Sequence, residues 1–313
     1  MGTALPFPES ATSRDFQAGL WRLADPKISL ASAASMLVGA AAAFHDGPLA
    51  LGWLALTVLG IFCVEVAKNA SGEVVDYDSG TDLAVAPEER SPFSGGKRVM
   101  VDGLLSRRET VAIAAAFYGA AILVGLLITF ARSADVFWLA LAGVLLAYFY
   151  HAGPVRLSYR GFGEAAVALA YGPLIAAGTY LVQRGEVTPL PVVASIPLGV
   201  LIAAFLWINE FPDARADRDA GKRTLVVRLG RDQAATAFAA IVVAAFALLG
   251  VLPAFGVPPA AWLGFIAAPT AVMAVRGLCS DPEDMARVVP AQGLTLLTFV
   301  LYAVGVAAGL ALG

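Results

Sequence analysis

Residues 48–82 read PLALGWLALTVLGIFCVEVAKNASGEVVDYDSGTD, and this stretch decides how the chain folds. It opens as an apolar run long enough to cross a bilayer, for which about 20 residues suffice. It then turns acidic, with Glu73, Asp76, Asp78 and Asp82 inside ten residues. On a helix, Asn69, Glu73 and Asp76 stand at i, i+4 and i+7 and share one face. Gly80 lets the chain turn, so Asp82 can return toward that face without being helical. A second cluster, Asn209-Glu-Phe-Pro-Asp213-Ala-Arg-Ala-Asp217, closes another apolar run. Asn209, Asp213 and Asp217 are spaced i, i+4, i+8, nearly in line. Like charges at this spacing repel, so a cation is expected between the clusters.

Working outward, the chain is 59% hydrophobic and 14% charged, with mean hydropathy +0.76. Soluble domains carry about 25% charged residues, so this is an integral membrane protein. A net charge of −3 gives no reason to expect nucleic acid. Two cysteines and two histidines argue against a zinc or haem site, whereas oxygen-ligated Mg²⁺ is compatible. Cys63 reads as a buried small hydrophobe, Cys279 lies in a short loop, and nothing supports a disulfide.

Nine candidate spans follow, at about 28–45, 48–75, 109–131, 135–151, 162–183, 189–211, 234–254, 258–276 and 289–312. The expected fold is an all-α integral membrane bundle of nine transmembrane helices around a central cavity, one domain over 1–313. Residues 1–27 are polar and too acidic for a cleavable signal peptide, and form a cytoplasmic N-terminal segment. With the N-terminus cytoplasmic, every lysine and arginine except Arg132 and Arg184 falls on the cytoplasmic side. Both acidic clusters then face the cytoplasm, followed by the two longest loops, 76–108 and 212–233.

The halves echo one another. Asp82 is followed by Gly95-Gly-Lys97-Arg98, and Asp217 by Ala220-Gly-Lys222-Arg223, which suggests a pseudo-symmetric bundle with one site between its halves. Abundant Ala and Gly allow close helix packing. The bland alternative is that the acids are solvated helix ends. Against it, Asn69 and Glu73 lie at membrane depth, where polar groups are costly and usually functional. Asp213 and Asp217 also sit at a helix C-terminus, where the dipole disfavours negative charge. Paired carboxylates with flanking cations suit a Mg²⁺-diphosphate, the metal bridging phosphate oxygens and turning diphosphate into a leaving group. Within a membrane the natural diphosphate is a polyisoprenyl one.

These residues carry a resemblance. The chain resembles the UbiA superfamily of intramembrane prenyltransferases, nine-span enzymes with Asp-rich motifs on the second and sixth helices. NEFPDARADRDAGKRTLVVRLG, residues 209–230, is similar to the second motif of the MenA-type branch, the 1,4-dihydroxy-2-naphthoate polyprenyltransferases. Asp76-Tyr-Asp-Ser-Gly-Thr-Asp82 fits that branch's first motif, and Tyr159-Arg-Gly-Phe-Gly-Glu164 with Tyr171-Gly-Pro173 resembles the start of its fifth helix. Two departures stand out. The motif's Asn four residues before Asp76 is Gly72 here, and its Arg-Pro-rich loop is replaced by Arg90-Ser-Pro-Phe-Ser-Gly-Gly-Lys97.

The resemblance implies transfer of a polyprenyl group from its diphosphate to an aromatic quinone precursor, in a bacterial cytoplasmic membrane with the site facing the cytoplasm. Asp76, Asp82, Asp213 and Asp217, with Glu73, would hold two Mg²⁺. Lys97, Arg98, Lys222 and Arg223 would bind diphosphate, with Tyr159, Arg160, Asn69, Glu73 and Asn209 as further substrate contacts. Were the acceptor 1,4-dihydroxy-2-naphthoate, decarboxylation would follow and yield demethylmenaquinone. Other readings are a different aromatic or lipid acceptor, a cation-coupled transporter or a scaffold. Among the remaining residues, Tyr148, Tyr150 and His151 read as an interfacial aromatic belt. Glu164 reads as a helix-start acid, and Asp78, Asp281, Glu283 and Asp284 as surface. Prenyl length and oligomeric state stay open.

Overall fold

Backbone polar groups in lipid must be satisfied internally, and a helix does this within one segment. The computed structural model, which describes residues 13–313, is accordingly helical. Among the described residues the β pairing is one isolated bridge between Ser91 and Ser94. The helices are α1 (Ser13–Ala24), α2 (Pro26–His45), α3 (Leu51–Ser79), α4 (Thr81–Ala84), α5 (Arg107–Ala131) and α6 (Val136–His151). They continue with α7 (Gly163–Leu169), α8 (Ile175–Arg184), α9 (Pro189–Asp219), α10 (Leu225–Leu229), α11 (Arg231–Val251), α12 (Ala268–Ser280) and α13 (Met285–Leu312). A wide π turn at Ala170–Leu174 joins α7 to α8, where Gly172 leaves helical geometry and Pro173 lacks an N–H.

Among the described residues, seven stretches are long and apolar enough to cross a membrane: α3, α5, Gly163–Arg184, α9, Arg231–Phe255, Pro259–Ser280 and α13. An eighth is counted if Asp15–Ala24 and Ser29–His45, bent by 43° at their junction, form one broken span. The expected span at 135–151 is α6, an apolar helix of 16 residues. Against nine expected spans, seven or eight helices among the described residues have membrane length, and α6 is a shorter one.

The α9 span is 72% buried against 22% for α5, so α9 is the central post. It packs against α2, α7, α11 and α13, and its Phe205 meets Phe299 of α13 edge-on at 5.5 Å. On the other side, α3 packs against α5 and α6. Part of the amino-terminal segment expected to be merely polar is α1, which places Phe16, Leu20 and Leu23 at i, i+4 and i+7 against Val66, Ala70, Val99 and Leu105. Residues 1–12 of that segment lie outside the described residues.

Two helices run further than the hydrophobic pattern suggests. α3 passes through its acidic motif to Ser79, where Gly80 takes a left-handed C-cap at φ 82° and donates to the Tyr77 carbonyl at 3.0 Å. α9 continues across Pro212 to Asp219. Arg231 braces that point, donating to the Phe211 carbonyl at 2.9 and 3.1 Å and pairing with Glu283 and Glu89. The acidic motifs are therefore helical ends, not loop. At the opposite end of the bundle, Arg132 donates to the Val182 and Gln183 carbonyls, and Arg184 to those of Ala43 and Gly47. Both arginines satisfy terminal helix carbonyls that would otherwise lack partners.

Candidate active site

The loop after α4 folds back between the ends of α3 and α9. Glu73 holds it: its two carboxylate oxygens accept the backbone N–H groups of Arg98 and Met100, each at 3.0 Å. Gly95 donates its N–H to Asp213 Oδ2 at 3.1 Å, joining the first motif's loop to the second motif. Gly96 has φ +72°, and a Cβ there would lie 2.3 Å from Asp82 Oδ1. A residue without a side chain is required for the loop to pass over Asp82.

Two side chains link the two clusters. Tyr159, from the short turn Leu157–Tyr159, donates its hydroxyl to Asp76 Oδ1 at 2.7 Å. The Lys222 ammonium lies 5.6 Å from the Tyr159 ring centre and 3.3 Å from Asp217 Oδ1. Its own N–H is fixed to the Asp217 carbonyl at 2.8 Å. Burial works against a charge on Lys222, but the carboxylates of Asp217, Asp76 and Asp213 outweigh it and hold the ammonium well above the ordinary lysine value. Burial, with the carboxylates of Asp76, Glu73 and Asp213, pushes Asp82 up to about 9. One lysine thus faces the carboxyl groups of Asp76, Asp82, Asp213 and Asp217.

Asp82 Oδ2, Asp213 Oδ1, Asp217 Oδ2 and the Asn209 Oδ1 are buried without a hydrogen-bond partner. Buried polar atoms left unpaired are uncommon in native structures and call for an explanation such as an ion. Among the described residues, no three acidic, histidine or cysteine side chains close up into a ready-made metal sphere. Mg²⁺ usually takes one or two carboxylates and completes its shell with water and substrate phosphate.

Several expected contacts have other partners. Lys97 is paired with Asp25. Arg98 reaches the Asp82 carbonyl at 3.0 Å and Asp102 at 3.5 Å, bracing its own loop. Arg160 and Arg223 have exposed side chains, and their main chains serve as ties: Arg160 O accepts from Arg228, and Arg223 N–H donates to Tyr159 O. Asn69 donates to the Leu23 carbonyl at 2.8 Å, anchoring α1. Glu73 spends both oxygens on the loop. The two Gly-Lys-Arg units are therefore not equivalent, because Lys222 alone among their four cations enters the carboxylate cluster. Asp78 pairs with Arg107 at the surface, as expected.

Other residues enter that the pattern did not single out. His151, expected in an interfacial aromatic belt, lies beside the cluster. Its Nε2 lies 3.9 Å from Asp76 Oδ2, and its Nδ1 is buried without a partner. Glu164 lies in the first turn of α7, as expected of a helix-start acid, but is buried there, and Oε1 of Glu164 and Oε2 of Glu210 both lack partners. Below the cluster lies an apolar cavity of about 200 Å³ between α3, α5, α6 and the α7–α8 unit, with Lys68, Glu65, Tyr150 and Tyr171 in its wall.

Residues 32–296 match the UbiA prenyltransferase family. The chain belongs to that family. It is 27% identical to a 1,4-dihydroxy-2-naphthoate octaprenyltransferase of Bacillus subtilis, over 90% of each chain. It is 28% identical to the Escherichia coli enzyme of the same name, over 88% of this chain and 92% of that one. In fold it is similar to a UbiA homolog from Archaeoglobus fulgidus bound to GPP and Mg2+, with TM-score 0.60 and 17% identity over 93% of this chain and 99% of that one. A digeranylgeranylglyceryl phosphate synthase gives TM-score 0.65 and 14% identity over 96% and 100%.

As a UbiA-family chain it has one exchange that its fold explains. Position 72, Asn in the resembling motif, is Gly, and a Cβ there would lie 2.8 Å from His151 Cε1 and Nδ1. The imidazole occupies the space that a side chain at 72 would fill, so the polar group beside Asp76 is supplied from α6 and not from α3.

Proposed function

We propose that this prenyltransferase moves a polyprenyl group from its diphosphate to an aromatic quinone precursor, with 1,4-dihydroxy-2-naphthoate as the acceptor. The observation that carries the reading is the convergence of carboxylates from α3, α4 and α9 on one ammonium, Lys222, with buried oxygens left unpartnered. Asp76, Asp82, Asp213 and Asp217 would hold Mg²⁺, two ions for four carboxylates. The metal, when bound, neutralises diphosphate charge and so assists its departure. Lys222 adds a fixed positive contact for the diphosphate. Tyr159 keeps Asp76 oriented, Glu73 and Gly95 hold the loop closed over the site, and the apolar cavity takes the prenyl tail and excludes water from the reacting carbon. The electron-rich acceptor ring then captures that carbon.

The relatives named as dihydroxynaphthoate octaprenyltransferases support this acceptor. Nine spans in a single domain of a bacterial membrane belong to the same proposal, and the basic residues support its cytoplasmic N-terminus and cytoplasmic-facing site. The Gly72–His151 exchange beside Asp76 favours a second reading, the same chemistry on a different aromatic acceptor or a lipid alcohol. The test is purified protein with Mg²⁺, a labelled polyprenyl diphosphate and a panel of acceptors. Labelled product with the naphthoate and loss of CO₂ is the expected result. Product with another acceptor alone would reassign the acceptor, and no product with any would overturn the proposal.

A further inference from the structure

Lipid-facing helix surfaces are apolar as a matter of course, and one of them in this chain is hollowed out. A groove of about 560 Å³ runs between α11 and the span Pro259–Ser280. Ala268, Ala271, Val272, Val275 and Arg276 line it from α12 at i, i+3, i+4, i+7 and i+8, a single stripe. The short alanine side chains leave the space between the helices unfilled. Phe265 stacks on Phe246 of α11, 5.9 Å between ring centres, and lines the end remote from Arg276. Val243 and Val272 are exposed, so the groove opens sideways to lipid.

The stripe ends in a cation. Among the described residues no hydrogen bond or ion pair holds the Arg276 guanidinium. The acids of the loop that follows are committed elsewhere. Asp281 Oδ1 accepts the N–H groups of Glu283 and Asp284 at 3.1 and 3.2 Å, Asp284 Oδ1 caps α13 at Ala286 at 2.9 Å, and Glu283 pairs with Arg231. Nor does Arg276 serve the helix dipole, which acts on cations in the last turn, where α12 has none. A charge on a lipid-facing stripe is costly. Arginine lowers that cost by laying its stem along the apolar wall and raising its guanidinium to headgroup level. The anion within reach there is a phosphate, which a guanidinium binds through two parallel hydrogen bonds.

We propose that this groove holds one anionic phospholipid, an acyl chain lying against the α12 stripe and the phosphate paired with Arg276. From Ala268 to Arg276 the stripe gives about 12 Å of apolar wall at 1.5 Å per residue, as a chain descending from its headgroup needs. Basic pockets between spans are where anionic headgroups are recognised. A helix from a second copy would leave the guanidinium against hydrocarbon, so charge complementarity favours the lipid. The groove shares no residue with the apolar cavity beside α3, and its occupant is therefore independent of the prenyl donor.

The experiment uses the full chain in detergent with equal amounts of phosphatidylglycerol and phosphatidylcholine carrying the same acyl chains, and counts retained lipid by native mass spectrometry. Wild type is expected to retain one phosphatidylglycerol in preference to phosphatidylcholine. Arg276→Gln is expected to lower that preference about tenfold, the worth of one charge-assisted hydrogen bond. Arg108→Gln, at an exposed arginine of α5 at the same end of the bundle, is expected to leave it intact. Val272→Trp fills the groove from an exposed position and is expected to lower retention of both lipids. Equal retention of the two lipids by wild type, an unchanged preference in Arg276→Gln, or full retention in Val272→Trp would overturn the proposal. An equal loss in Arg108→Gln would overturn it too, by showing that any surface arginine does as well. A dimer that Val272→Trp dissociates would give the groove to a second copy and rule the lipid out.

Discussion

Asp76 is held by Tyr159, and the same tyrosine presents its ring to Lys222, so one side chain sets the spacing between the two carboxylate clusters. Tyr159→Phe keeps the ring and removes the hydrogen bond to a charged group, worth about 1.5–3 kcal/mol. Steady-state assays should show kcat/KM for the prenyl diphosphate falling by about tenfold, with the thermal midpoint lowered by a few degrees; an unaltered kcat/KM would remove Tyr159 from the site. Gly96→Ala is the harsher change, because φ +72° disfavours alanine and the new Cβ meets Asp82 at 2.3 Å. A strained backbone of this kind costs about 1–3 kcal/mol before the clash is counted. Activity should be lost while the protein still purifies folded, and a fully active Gly96→Ala would show that the loop is not closed over Asp82. At this scale the sequence was partly legible. Asp213 and Asp217 could be read because helical spacing alone puts them on one face. The fates of Lys97 and Lys222 could not, since identical Gly-Lys-Arg triplets meet different neighbours: Asp25 in one case, Asp217 in the other. Nor could His151 be read, because its role depends on the missing Cβ of Gly72 in a different helix.

At the scale of elements, α3 and α9 bring the chemistry to one end of the bundle by staying helical beyond their apolar runs. Hydropathy marks where side chains turn polar, and the backbone has no reason to stop there when Gly80 and Ala220 supply the actual ends. Acids at a helix C-terminus are unfavourable, and here loop amides, Tyr159 and Lys222 offset them. The continuation of α9 past Pro212 depends on Arg231, which grips the Phe211 carbonyl and reaches Glu89 and Glu283. Arg231→Met should lower the thermal midpoint by several degrees, corresponding to about 1–3 kcal/mol for two lost charge-assisted hydrogen bonds and lost ion pairs. It should also weaken cleavage protection of the loop around Glu89 in limited proteolysis; unchanged melting and protection would contradict this account of α9. α5 needs no such help, because Ser106 and Glu109 form a capping box at its start.

For the whole molecule, a central, largely buried α9 with α3, α5 and α6 on one flank creates both an apolar cavity and a charged end. The membrane class was legible from composition, since mean hydropathy and charge fraction leave no soluble alternative. The number of membrane-length helices was less so, because α6 is short and α1–α2 bend, and neither feature leaves a mark in a hydropathy pattern. The central claim is that the carboxylates of both clusters act together on a diphosphate. It is tested most directly by measuring Mg²⁺-dependent transfer from a labelled polyprenyl diphosphate in wild type, Asp76→Ala and Asp213→Ala, with chelator added and removed. The account predicts transfer in wild type that stops with chelator and returns with Mg²⁺, and a loss of about a hundredfold or more in each variant. Full transfer by both variants, or by wild type in chelator, would contradict it.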